Sequence, residues 1–329
     1  INFWGNYNTI TKLFVQGTWT IPSDFTFQNG IEVIVMNGGK IISTRDIAFV
    51  NSSYLTIMPG GSVSFRNLEF TNSGNELKNW GTVTTTQDLK ISNGGLFYSK
   101  GTIVAEDASF NSSSLMQNEG TISLSGLFYM PYNASLMNTG EITAYYLQAN
   151  GVSLTNNGKM IFNSIYELGN STVTNNCFIE SKLDVYIYNT SLNFNKGYLK
   201  GKDIVIKNCM VKLYNGSMIE ATRTLDNESG STYYDGGTGN RSLLKSPNMS
   251  GSGLYYYGNL TVEVNKHPSN ILWFTAYYLQ SPAQMARYGK SNVIIEVCTG
   301  TANEGDPGTD PENPTFPIES VNNTTYTYM

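Results

Sequence analysis

Residues 101–142 read GTIVAEDASFNSSSLMQNEGTISLSGLFYMPYNASLMNTGEI and contain a motif that recurs about every twenty residues. In this stretch Gly101, Gly120 and Gly140 are each followed two positions later by an isoleucine. The same Gly-x-Φ unit, where Φ is apolar, repeats along the chain at intervals of 18 to 22 residues. Its anchors are Gly17, Gly39, Gly61, Gly81, Gly101, Gly120, Gly140, Gly158, Cys177, Gly197 and Gly216. An internal repeat of this length indicates a solenoid.

Each unit also contains short runs in which apolar and polar residues alternate, as at Ile47 and Phe49, and Gly, Asn and Asp separate these runs. This pattern is typical of strand, corner and strand, and a unit of about twenty residues is too short for a pair of helices. The sequence therefore predicts an all-β fold, a single-stranded parallel β-helix of about ten coils. Coils of this kind stack about 4.8 Å apart, and the general crossover preference makes a right-handed coil the expected form.

The leucine-rich repeat is the competing solenoid of similar period, but its L-x-x-L-x-L-x-x-N signature is missing. Because stacked coils leave unpaired strand edges at both ends, we expect caps there. The predicted organisation is an N-terminal cap (1–16), the β-helix (17–230), a β-rich C-terminal cap or small domain (231–300) and a Pro/Asp-rich linker (301–329). The last segment contains five acids, no Lys or Arg, and four prolines.

An asparagine two positions before the anchor is the most regular polar feature of the repeat. It is present at Asn37, Asn79, Asn118, Asn138, Asn156, Asn175 and Asn195. Stacked asparagine side chains form hydrogen bonds between coils, so we predict a structural ladder rather than a chemical role.

Aspartates fall at matching positions of consecutive coils in two places, Asp88 with Asp107 and Asp184 with Asp203. Each pair should lie one strand spacing apart, where two carboxylates repel unless a cation or hydrogen bonds compensate. Two hypotheses stay open: a Ca²⁺ site, since oxygen ligands suit hard cations, or corner capping of backbone N–H groups. No other cofactor is expected.

Tyrosines cluster in the C-terminal region, and aromatic rings with a polar tip suit glycan or protein surfaces. The candidate binding residues are Tyr233, Tyr234, Tyr255, Tyr257 and Tyr277. Alternate residues of a strand point to opposite faces, so Tyr256 and Trp273 are expected in the core.

Composition excludes several function classes. Only 14% of residues are charged and the pI is about 5.0, which argues against a nucleic-acid partner. No stretch approaches the roughly 20 apolar residues of a transmembrane helix. The single histidine, His267, has no clustered carboxylates near it in the sequence, and the motifs of polygalacturonase-like β-helices are absent. We therefore expect no catalytic residues, with polysaccharide cleavage as the alternative.

Two segments, FVQGTWTIPSDFTFQNGIEVIVMNGGKI (residues 14–41) and NVIIEVCTG (292–300) with the GDPGTDPENPTFPIESVNNTTYTYM tail (305–329), resemble the secreted LruC-domain proteins of Bacteroidetes. In that family a repeat region and a Pro/Asp linker precede the LruC domain, which would follow Met329. The resemblance implies an extracytoplasmic protein, secreted or anchored at the outer-membrane surface, with an adhesive role. The acidic signature of the domain is absent here, so no residue role carries over.

Together these observations predict a non-enzymatic extracellular or cell-surface protein, with the solenoid as a spacer or binding shaft. A glycan or a host or bacterial surface protein is the expected partner. The alternative is a carbohydrate-binding or polysaccharide-cleaving β-helix of a glycan-degrading bacterium.

Overall fold

The computed structural model describes residues 11–228, 230–251, 255–266, 283–286 and 289, which form an all-β parallel solenoid. The solenoid has about twelve turns of about 20 residues, and the described residues contain no helix. The predicted parallel β-solenoid is therefore confirmed. No helix in this part of the chain is long and apolar enough to cross a membrane.

The strands of the first six coils are short, with three strands in each coil. They are β1 (Lys12–Val15), β2 (Thr18–Thr20), β3 (Phe25–Phe27), β4 (Glu32–Val35), β5 (Lys40–Ile42), β6 (Asp46–Phe49), β7 (Tyr54–Ile57), β8 (Ser62–Phe65), β9 (Asn67–Phe70), β10 (Glu76–Asn79), β11 (Thr82–Thr85), β12 (Asp88–Ile91), β13 (Leu96–Ser99), β14 (Thr102–Ala105), β15 (Asp107–Phe110), β16 (Leu115–Asn118), β17 (Thr121–Leu124) and β18 (Leu127–Pro131).

In most later coils the second and third strands merge into one long strand. The remaining strands are β19 (Ser135–Asn138), β20 (Glu141–Asn150), β21 (Ser153–Asn156), β22 (Lys159–Gly169), β23 (Thr172–Asn175), β24 (Phe178–Ser181), β25 (Asp184–Tyr188), β26 (Ser191–Asn195), β27 (Tyr198–Lys207), β28 (Met210–Tyr214), β29 (Met218–Glu228), β30 (Thr232–Asp235), β31 (Ser242–Gly251), β32 (Tyr255–Gly258), β33 (Leu260–Lys266) and β34 (Gln284–Ala286).

These strands form two parallel sheets that enclose the core. Sheet A contains 13 strands, running from β1 to β32 with one strand per coil, and sheet B contains the other 21. Strands of neighbouring coils pair in register, so each residue lies opposite its repeat equivalent. Ile103, Ile122 and Ile142, for example, are aligned and buried. The alternation in the sequence therefore becomes columns of apolar side chains along the interior.

The anchor glycines mark a corner where the backbones of successive coils nearly touch. A Cβ atom on Gly120 would lie 2.1 Å from the carbonyl oxygen of Gly101, and one on Gly140 would lie 2.0 Å from that of Gly120. Real Cβ atoms do not approach a backbone oxygen this closely, so positions 120 and 140 require glycine for steric reasons. Cys177 and the uncrowded Gly17 show that this requirement does not hold at every anchor.

Strand pairing extends beyond the predicted limits of the β-helix at both ends. β1 lies within the predicted N-terminal cap yet pairs with β4 in register, and β30 pairs with β28 beyond residue 230. The coils continue there without an anchor glycine because inward-facing apolar residues, such as Tyr233 and Leu244, maintain the sheets. His267, Trp273, Tyr277 and the predicted linker (301–329) lie outside the described residues.

Candidate functional site

The predicted asparagine ladder is a buried row of side chains at the end of the sheet A strands. Asn118 Nδ2 donates to Asn138 Oδ1, Asn138 to Asn156, and Asn156 to Asn175, each at 2.8 Å. Asn79 Nδ2 donates to Ser99 Oγ at 3.1 Å in the preceding coils. All five asparagines are buried, so the row connects the coils from the inside.

Asn37 and Asn195 do not belong to this row, contrary to the prediction, because both are exposed. Val35 occupies the row position in its coil and Asn37 lies two residues beyond it. Phe194 pairs with Asn175, so Asn195 falls one residue later in the strand, which turns it to the outer face. There it accepts a hydrogen bond from Asn215 at 2.7 Å.

The C-terminal tyrosines do not form one binding surface. Tyr233 is completely buried and stacks on Tyr256 with ring centroids 5.3 Å apart, so its assignment as a binding residue is wrong. Tyr234 is 43% exposed and Tyr257 is half-buried on the outside of sheet A. Tyr255 lies in β32, and Tyr277 is outside the described residues.

Asp88 and Asp107 lie opposite each other, as their spacing predicts. Asp88 contacts Lys90 Nζ at 2.9 Å, and Asp107 Oδ1 accepts a hydrogen bond from the Leu127 N–H at 2.6 Å. Protein groups therefore compensate this pair, which favours capping over metal binding. Within the described residues no group of three or more His, Cys, Asp or Glu side chains is placed to hold a metal ion.

Asp184 and Asp203 also lie opposite each other, and they line an open groove of about 640 Å³ on the outer face of sheet B. We call it the tyrosine–carboxylate groove after its chemically distinctive lining residues, which come from β22, β25 and β27. These residues are Tyr166, Glu167, Asp184, Tyr186, Tyr188 and Asp203. The groove thus combines two predicted aspartates with four residues that the repeat pattern did not single out.

A β-bulge in β22 forms the aromatic side of the groove. Against β20, Ile165 pairs with Leu147 and Glu167 pairs with Gln148, which leaves Tyr166 without a partner. The extra residue is pushed outward, and Tyr166 is 67% exposed. Bulges occur where a strand redirects a side chain, often next to functional sites. A bulge of this kind interrupts the repeat, so the repeat pattern does not predict it.

Glu167 is held in the groove by three donors. Gln148 Nε2 donates to one carboxylate oxygen at 3.0 Å, while Asn150 Nδ2 donates to the other at 2.6 Å. The Tyr188 hydroxyl donates to that second oxygen as well. Burial opposes ionisation of this carboxyl group, but the hydrogen bonds from Tyr188, Asn150 and Gln148 outweigh it and lower the pKa of Glu167.

Tyr188 reaches Glu167 because its ring lies over Gly169 of the preceding coil. A Cβ atom on Gly169 would be 2.2 Å from Tyr188 Cζ, so any larger residue would displace the ring. Asn150 Nδ2 also donates to the Tyr188 hydroxyl at 2.8 Å. The polar side of the groove is therefore fixed in place by the fold.

Arg223 balances the charge of Asp203. Its Nε donates to Asp203 Oδ1 at 2.7 Å, and a second guanidinium nitrogen donates to Oδ2. These hydrogen bonds hold the pKa of Asp203 below its ordinary value. The lining of the groove contains three carboxylates, and Arg223 and Lys202 beside it offset part of their charge, so a net negative charge remains.

The Glu167 network predicts a pH-dependent contribution to stability. Because the folded-state pKa of Glu167 is lowered, its contribution is present above the ordinary glutamate pKa and is lost as the pH falls through the folded value. We expect wild type to be more stable than Glu167→Gln at neutral pH, with the difference disappearing in acid. Urea unfolding of both proteins across this pH range tests it, and an equal difference at neutral and acid pH would contradict it.

The described part of the chain contains two cysteines, Cys177 and Cys209, and both are buried. Cys177, at an anchor position, takes part in a disulfide bond, whereas Cys209 is a buried free thiol. The sequence has one further cysteine, Cys298, which is outside the described residues. Disulfide bonds persist mainly in oxidising compartments.

Comparison with family models, with curated proteins and with solved structures gives no match for this chain.

Proposed function

We propose that the protein is a non-enzymatic extracellular binding shaft that holds glycans in the tyrosine–carboxylate groove. The observation that carries this proposal is the combination, in one open groove, of exposed tyrosine rings with fixed carboxylates. Tyrosine faces pack against the apolar faces of sugar rings, and the exposed Asp184 carboxylate is an acceptor for hydrogen bonds from sugar hydroxyls.

The arrangement of the carboxylates favours binding over cleavage. Cleavage of a glycosidic bond uses two carboxyl groups, one acting as a general acid with a raised pKa. In the groove the pKa values of Glu167 and Asp203 are lowered instead, and Arg223 already occupies both oxygens of Asp203. We therefore assign all three carboxylates to ligand binding or to positioning.

The extracytoplasmic location of the protein is likewise a proposal. The disulfide bond at Cys177 supports an oxidising, extracytoplasmic environment. The resemblance to secreted LruC-domain proteins supports the same location and a role in adhesion. A solenoid of about twelve turns is long enough to present the groove away from an anchoring surface.

Replacement of both exposed groove tyrosines should abolish most of the affinity. Each stacking ring contributes about 1 kcal/mol, so Tyr166→Ala with Tyr186→Ala should weaken glycan binding by roughly thirtyfold. A glycan array identifies ligands for wild type, and titration calorimetry with the best ligand compares the variant.

Tyr234→Ala is the matched control, since this tyrosine is similarly exposed but lies on sheet A. It should bind like wild type. Loss of binding in Tyr234→Ala with normal binding in the groove variant would move the site to the C-terminal tyrosines. A reducing-sugar assay on the array ligands completes the test, because turnover would contradict a non-enzymatic role.

A further inference from the structure

We propose that the groove selects linear glycans that carry no acidic groups, and that the glycan chain lies along the solenoid axis. This inference rests on the proposed function and adds to it the class of ligand and its direction. Two independent features of the groove support it, its charge and the arrangement of tyrosines around it.

The charge argument concerns which ligands the groove repels. Asp184 is exposed, and Arg223 forms its hydrogen bonds with Asp203 while also lying close enough to Asp184 to interact with its charge. Glu167 already receives its three hydrogen bonds from the protein, so it contributes charge more than ligand contacts. A uronic-acid or sulfated chain would bring further negative charge against three carboxylates, whose charge Arg223 and Lys202 offset only in part. Hydroxyl and amino groups, by contrast, are donors for the Asp184 carboxylate.

The direction follows from a column of outward-facing side chains on four successive coils of sheet B. Tyr129 in β18, Gln148 in β20, Tyr166 in the β22 bulge and Tyr186 in β25 occupy corresponding positions of neighbouring strands. Tyr129 is half-buried, and Tyr166 and Tyr186 are exposed. Three strand spacings separate the ends of this column, a distance of about 14 Å along the axis. A chain that crosses the coils would meet one of these three rings, whereas a chain along the axis passes over all three.

The test compares oligosaccharides that differ in charge and length. Titration calorimetry at low salt would use the disaccharide and hexasaccharide of a neutral β-glucan, of a β-linked amino sugar and of galacturonic acid. We expect the neutral or the amino-sugar hexasaccharide to bind at least about tenfold more tightly than hexagalacturonate. We also expect either hexasaccharide to exceed its own disaccharide by about tenfold. Added salt should strengthen any residual galacturonate binding, because it screens repulsion.

Two variants test whether the groove causes the selectivity against acidic glycans. Asp184→Asn should reduce the discrimination against hexagalacturonate several-fold, while Asp24→Asn, which removes an exposed carboxylate in the first coil, should leave it unchanged. Hexagalacturonate binding as tightly as the neutral hexasaccharide would overturn the charge inference and leave tyrosine-dependent glycan binding intact. Equal affinity for di- and hexasaccharides would overturn the axial direction. Binding of none of these sugars, or binding unaffected by loss of Tyr166 and Tyr186, would instead contradict the proposed function.

Discussion

Gly120→Ala is expected to destabilise the solenoid by about 3 kcal/mol or more, because overpacking against a rigid backbone is costly. The added Cβ would lie 2.1 Å from the Gly101 carbonyl oxygen and 2.6 Å from the Lys100 carbonyl carbon. Neither atom belongs to a flexible side chain, so the two coils must separate. Separation would weaken the hydrogen bond from the Gly120 N–H to Ser99 O, at 3.1 Å, and would disturb the neighbouring pairs.

Gly17→Ala is the matched control, since Gly17 is an anchor of the same repeat with no atom within 4 Å of the added Cβ. Its urea midpoint should stay close to that of wild type. The glycine corner would lose its steric explanation if the two alanine variants unfolded at the same urea concentration.

Asn156→Ala is expected to cost about 2 to 3 kcal/mol, because it leaves buried hydrogen-bonding groups without partners. Asn156 Nδ2 donates to Asn175 Oδ1 and to Phe178 O, while its Oδ1 accepts hydrogen bonds from Asn138 Nδ2 and the Gly158 N–H. Truncation therefore breaks the ladder in both directions. Denaturant unfolding monitored by circular dichroism measures the loss.

The neighbouring residue supplies the control for this prediction. Asn157 is exposed, and its side chain accepts one hydrogen bond, from Asn176 at 2.7 Å. Asn157→Ala should change the free energy of unfolding by no more than about 0.5 kcal/mol. Equal effects at positions 156 and 157 would mean that the buried ladder adds nothing beyond ordinary surface hydrogen bonds.

The fold could be predicted because successive coils must meet the same physical requirements, so the same residue types recur along the sequence. Glycine is needed where coils touch, apolar residues are needed inside, and the asparagine row runs between them, as at Gly120, Ile122 and Asn118. The glycine anchors alone predict about ten coils, fewer than the roughly twelve of the structure. In the last coils, Tyr233 and Leu244 meet the interior requirement without a glycine anchor.

The groove was harder to predict for the opposite reason. Asp184 and Asp203 could be placed on neighbouring coils from their spacing, and they do lie together. Tyr166 is exposed because of an extra residue in β22, and Tyr188 reaches Glu167 because Gly169 leaves space beneath its ring. Both features depart from the repeat, so an alignment of the coils does not reveal them.

Hydroxyl-radical footprinting of tyrosine side chains, with and without a neutral hexasaccharide, tests most directly whether the groove is the binding site. The proposal predicts that Tyr166 and Tyr186, which are 67% and 36% exposed in the free protein, become protected from oxidation. Tyr234, 43% exposed on sheet A, should be oxidised equally in both samples. Protection of Tyr234, with Tyr166 and Tyr186 unchanged in the presence of a bound glycan, would contradict the account.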